Sequence, residues 1–137
     1  MNKIIIVSKD EIDADNKITN YIASKYLPQT INSALDSWNK LVNEIEIGYP
    51  YDIFEYLNDL FSRNVIQDVI DTDPQPLTQQ IILVVDEIDK RFFEYTHEIT
   101  EPLSANKREF WWLRIPNKLT PGLCDDLNSE GYIIKDK

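Results

Sequence analysis

Residues 30–47 read TINSALDSWNKLVNEIEI, and their spacing decides the fold class. Ile31, Ala34, Leu35, Trp38, Leu41, Val42 and Ile45 recur every three or four positions, the repeat that lines side chains along one stripe of an α-helix. Gly48 follows where a left-handed C-cap belongs, so the helix is predicted to stop there. Downstream, Tyr49-Pro50-Tyr51 makes a tight connection, and Asp52 can cap a further helix carrying Ile53, Phe54, Leu57, Leu60, Phe61, Val65, Ile66, Val69 and Ile70. Its pattern slips around Ser62-Arg63-Asn64, which predicts a kink or two shorter helices.

The same reading extends to both ends. Ile18, Tyr21, Ile22, Tyr26 and Leu27 give a helix within Asp15–Leu27, ending before Pro28. After the breaker-rich loop Asp71–Pro76, the stretch Leu77–Ile99 has Ile81, Val84, Val85, Ile88, Phe92 and Tyr95 at helical spacing, about six turns closed by Pro102. Phe110–Pro116 reads as extended, Pro121-Gly122 as a turn and Leu123–Asn128 as a short helix. The β-branched run Ile4–Val7 either pairs as a strand with Tyr132-Ile133-Ile134 or continues into the first helix. The fold class is therefore mainly α: a single-domain bundle of about four helices over residues 1–137, with an irregular C-terminal segment and a candidate terminal strand pair.

Composition removes whole classes of function. With 24 acidic against 14 basic residues the formal net charge is -10, the wrong sign for neutralising phosphates, so no direct nucleic-acid partner is expected. The glycines are Gly48, Gly122 and Gly131, too few and too scattered for a P-loop or a dinucleotide turn. One cysteine, Cys124, and one histidine, His97, cannot form an internal disulfide or a Cys/His zinc site. No apolar run reaches the length of a membrane span, and Ile4–Val7 is too short for a signal peptide, so a cytoplasmic protein without a membrane partner is expected. Fifteen aromatic residues supply enough apolar area for an ordered core despite the charge.

Four constellations invite chemistry, and each is better read as structure. Ile81–Val85 followed by Asp86-Glu87 looks like a Walker B strand, but that mechanism needs a glycine-rich lysine loop which is missing. Glu94-x-x-His97 matches half of a carboxylate-bridged di-iron ligand set, and the second motif has no histidine to build it. Asp86-Glu87-Ile88-Asp89 and Asp125-Asp126 are carboxylate clusters of the kind glycoside hydrolysis uses, yet close pairs arise by chance among 24 acids. Cys124 stands beside two aspartates, which raise a thiol pKa and so disfavour a nucleophile. No catalytic residue, cofactor or metal is expected.

Charge distribution is more telling. From Asp36 to Asp73 there are nine acids and two bases, Lys40 and Arg63, a net of -7 in 38 residues. Tyr49, Tyr51, Phe54 and Tyr56 are interleaved with those acids, a composition suited to steering and anchoring a basic protein. The alternative is a solvated face that only maintains solubility.

The run Trp38-x-x-Leu41-Val42-x-x-Ile45-x-x-Gly48-Tyr49, then Glu55-Tyr56-Leu57-Asn58-Asp59-Leu60-x-x-Arg63, resembles small acidic bacterial proteins. Ile88-Asp89-Lys90-Arg91-Phe92, Thr96 and Trp111-Trp112-x-Arg114-Ile115-Pro116 resemble the same group, so the likeness covers about residues 30 to 116. These are similar to immunity proteins of contact-dependent growth inhibition and related polymorphic toxin systems. The resemblance implies a non-enzymatic protein that binds a cognate toxin domain, here expected to be a basic nuclease, and occludes it. Charge and aromatic content then nominate Tyr49, Tyr51, Asp52, Glu55, Asp59, Asp68 and Asp71 as partner contacts. Within the pattern, Asp59 and Arg63 are spaced for an intrahelical ion pair, and Trp111, Trp112, Arg114 and Asp89 for tying the tail to the long helix. A small carboxylate-dependent hydrolase and an adaptor for a non-toxic protein are the other readings.

Overall fold

A computed structural model describes residues 3–72, 75–105 and 107–131. The helix read from residues 30–47 is the centre of the molecule. It runs Ile31–Ile47 (α2), with the Thr30 hydroxyl accepting from the Ser33 amide and Gly48 at φ +136° ending it. All seven stripe residues are buried, and Trp38 packs against Phe92 with ring centroids 4.8 Å apart. Around α2 lie α1 (Lys9–Lys25), α3 (Ile53–Asp71) and α4 (Thr78–Tyr95), α3 and α4 making the most extensive contacts with it. A short α5 (Pro121–Ser129) packs on α3 through the buried Leu123 and Leu127.

Several expectations are corrected. The first helix begins at Lys9, well before Asp15, because Ser8 and Glu11 form a capping box in which each side chain accepts from the other's amide. α3 is one continuous helix without a break at Ser62-Arg63-Asn64. Arg63 is itself buried, one turn beyond Leu60 and two beyond Tyr56 on the inward stripe, so the apparent slip is a core position filled by a polar residue. The long helix stops at Tyr95 and not Ile99, since the returning tail takes its last carbonyls. Arg114 Nη2 donates to Phe93 and Thr96 oxygens, and the Asn117 side-chain and backbone amides donate to those of Glu94 and Tyr95.

Past that point Thr96–Glu98 (β1) pairs antiparallel with Arg114–Pro116 (β2), His97 opposite Ile115. Phe110–Pro116, expected to be extended throughout, is a 3-10 turn over Phe110–Leu113 before it becomes that strand. Pro121-Gly122 is the first turn of α5, proline occupying the position whose missing N–H costs nothing there. The pairing of Ile4–Val7 with Tyr132–Ile134 falls partly outside the described residues. The first run, Ile4–Val7, is neither helix nor strand and is held by side chains: Asn32 exchanges hydrogen bonds with the backbone of Ile4, and Gln80 with that of Ile5.

One polar centre sits among these helices. Arg63 on α3 donates from Nε and Nη2 to the two oxygens of Asp89 on α4, at 3.0 and 2.9 Å. The Trp38 indole adds a third donor to Asp89 at 2.9 Å, and the guanidinium lies 4.6 Å from the Trp111 ring. Every polar atom of a buried charged pair needs such partners, because desolvation is otherwise uncompensated. Arg63 thus pairs with Asp89 and not with Asp59. The tail is tied to both helices: Arg114 and Asn117 hold it to the end of α4, whereas both tail indoles, Trp111 and Trp112, donate to Asn64 Oδ1 on α3.

Candidate functional site

Gly48 and Pro50 turn the chain so that α3 returns alongside α2. On α2, Ser37, Lys40, Leu41 and Glu44 share one face, at i, i+3, i+4 and i+7. On α3, Glu55 and Asp59 lie one turn apart on the side facing them. With Tyr51 at one end, these seven residues line an open cleft of about 220 Å³ between the two helices.

The cleft is acidic. Glu44, Glu55 and Asp59 face Lys40 alone among its lining charges. Burial pushes the Glu44 carboxyl above the ordinary range; Lys40 draws it down and Asp59 pushes it up further. Asp59 is fixed from beneath, accepting a 2.6 Å hydrogen bond from the Tyr49 hydroxyl. Burial and the Asp59 charge raise that hydroxyl far above its usual range, so it stays a donor. The Tyr49 ring is wholly buried and meets Tyr51 and Tyr56 edge-on, at 5.6 and 5.3 Å. Among the described residues the ion pairs lie elsewhere: Lys25–Asp68, Arg63–Asp89, Arg91–Glu46 and Arg114–Glu98.

The seven nominated contacts therefore separate. Tyr51, Glu55 and Asp59 line one cleft. Asp52 is exposed beside it and caps α3, its carboxylate accepting the Glu55 amide at 2.9 Å. Tyr49 is corrected from contact to support, since a ring with no exposed surface cannot meet a docked partner. Asp68 faces α1, accepting from the Tyr26 hydroxyl and from Lys25 at 3.0 Å. Asp71 ends α3 and receives Gln67 Nε2 at 2.9 Å. Nine residues separate Asp59 from Asp68, about 13 Å along a helix, so neither Asp68 nor Asp71 belongs to the cleft. Ser37, Lys40 and Glu44 were not singled out, although their spacing on the polar side of α2 was available to show a row facing the acids of α3.

Two residues of the remaining constellations have partners within the fold. Asp126 accepts the Ile53 amide at 3.1 Å and so helps start α3. His97 is exposed and bonded through Nδ1 to Asn117. Among the described residues no group of three or more His, Cys, Asp or Glu is arranged to hold a metal ion, and no helix is long and apolar enough to cross a membrane. Comparison of the chain with protein-family models, curated proteins and solved structures finds no match.

Proposed function

We propose that this protein binds a basic partner domain stoichiometrically through the α2–α3 cleft, acting in the cytoplasm as an immunity protein that neutralises a toxin effector. The observation that supports the reading is a single one: three carboxylates from two helices converge on an open cleft with one lysine among them. Carboxylates in that setting attract cations, speed encounter with an electropositive surface and reward burial of a lysine or arginine. A nuclease groove that holds phosphates is such a surface, and occupying it removes the enzyme's access to substrate. The choice of a toxin over another basic partner rests on the sequence resemblance.

The test is capture of the partner with tagged protein at low and high salt, followed by expression of the partner alone and together with this chain. A partner that arrests growth alone and is silenced on co-expression, through a complex weakened by salt, is the expected result. A harmless partner, or none at one-to-one stoichiometry, would overturn it.

A carboxylate-dependent hydrolase is favoured by one observation, the raised Glu44 carboxyl beside Asp59. That reading demands complete loss of a hydrolytic activity in Glu44→Gln with the fold retained, whereas a binding cleft weakens in graded steps.

A further inference from the structure

Tyr49 has no exposed surface, yet its hydroxyl ends on a side chain of the cleft. A buried hydroxyl needs an acceptor, and any acceptor would serve the fold. The neighbouring buried tyrosine shows the ordinary solution: Tyr56 donates to the backbone oxygen of Arg114 at 3.0 Å. Tyr49 donates instead to Asp59 Oδ2 at 2.6 Å, a carboxylate that borders the open cleft with Glu44 and Glu55. Among the described residues the other oxygen, Oδ1, accepts no hydrogen bond. One oxygen is anchored from within, and the other remains for a donor arriving through the cleft.

The tyrosine is itself held from behind. Thr120 Oγ1 donates to the Tyr49 backbone oxygen at 3.0 Å, Leu119 forms an isolated bridge with Tyr49, and Lys118 Nζ donates to the Glu46 backbone oxygen at 3.0 Å. The Tyr56 ring closes on it edge-on from α3. The tail thus fixes the turn between α2 and α3, and the turn fixes Asp59. We infer that Tyr49 is a positioning residue of the cleft: its hydroxyl sets the Asp59 carboxylate in place before a cationic partner docks, so that affinity depends on a residue the partner does not touch. The inference rests on the proposed binding of a basic partner at the cleft.

The physical basis is preorganisation. An aspartate on a helix surface ordinarily samples several rotamers and loses that freedom when a partner docks. A hydrogen bond made in the free protein has already removed it. An ion pair of the kind that Arg63 makes with Asp89 would also fix a carboxylate, but it would cancel the attraction for an incoming cation. A neutral, buried donor fixes Asp59 and leaves its charge in the cleft.

The probe is N-acetylated triarginine amide, titrated into the full chain at low salt, with the dissociation constant read by NMR from the backbone amide signals of Glu44, Glu55 and Asp59. The parent, Tyr49→Phe, Asp59→Ala and the double variant complete a double-mutant cycle, each checked by thermal melt. Tyr49→Phe keeps the ring and the net charge. It should weaken binding about threefold to tenfold in the parent background and leave it unchanged once Asp59→Ala is present. A weakening by the same factor in both backgrounds would assign Tyr49 to the fold alone and overturn the inference. Parent affinity for Tyr49→Phe would also overturn it, with the cleft reading left standing. If triarginine shifts none of the three cleft signals in the parent, or Asp59→Ala binds as the parent does, the basic-partner reading fails and the inference with it.

Discussion

Asp59 and Arg63 stand one turn apart on the same helix and do opposite things. Arg63 points inward, where Asp89, Gln67 and the Trp111 ring enclose its guanidinium. Asp59 borders an open cleft with Glu44 and Glu55, its carboxylate accepting from the neutral Tyr49 hydroxyl. The buried charge is committed to the fold, because removing it from water requires a full set of partners. Among the described residues the cleft charges have no ion pair of comparable geometry, so their electrostatic energy remains available to something that docks. One helix thus carries a buried, fully partnered charge one turn away from a carboxylate that borders an open cleft.

That contrast can be broken by substitution. The largest effect belongs to the polar centre: Asp89→Ala strands Arg63 in the core and should cost about 3–5 kcal/mol in urea denaturation. The double replacement Arg63→Met with Asp89→Leu should recover most of that loss, since the penalty lies in the unpaired charge. A loss below about 1 kcal/mol for Asp89→Ala would mean that water reaches the pair and that the two regions differ less than argued. Next is Asn64→Ala, which leaves the Trp111 and Trp112 indoles without their shared acceptor and should cost about 1–3 kcal/mol. The corresponding measurement is again a urea midpoint, with loss of tail protection in hydrogen exchange.

Within the cleft the effects shrink and change sign. Burial and Asp59 hold the Glu44 carboxyl above its ordinary range, so folding favours its protonated form. The stabilisation is therefore present below the usual glutamate pKa and is lost as pH rises through the raised value. Glu44→Gln should match the parent near pH 4 and exceed it in stability at pH 7, as read from thermal melts across that span. An equal offset at both pH values would contradict the assigned environment. The smallest effect is expected at Lys25→Ala, which removes an exposed ion pair with Asp68 and should shift stability by less than about 1 kcal/mol.

How much of this was legible varies with the range of the interaction. α2 was readable to its ends, since its stripe, the Thr30 cap and Gly48 are all local signals. The early start of α1 was also written locally, in Ser8 and Glu11, but those residues looked like the charged end of an apolar run. The β1–β2 pair was not legible. Its strands are three residues each and depend on Arg114 reaching back to Thr96, a contact between residues far apart in sequence. Arg63 was assigned to an intrahelical pair with Asp59 and Asp89 to the tail, where the structure pairs the two with each other; the overlooked signal was an opposite charge on or beside the inward stripe of each of two helices. The acids were correctly seen as concentrated, yet α3 spans 19 residues, about 28 Å, too long for one patch. Composition counted Asp68 and Asp71 with Glu55 and Asp59, and geometry divides them.

The measurement that bears most directly on the cleft is calorimetric titration of the captured partner into three proteins at two salt concentrations: the parent, Glu44→Gln with Glu55→Gln, and Asp68→Asn with Asp71→Asn. Both variants lose two negative charges, one pair inside the cleft and one pair outside it. The account predicts at least a tenfold weaker complex with reduced salt dependence for the cleft variant, and parent affinity for the other. Equal losses in the two variants would show that net charge alone attracts the partner, and would contradict a binding site between α2 and α3.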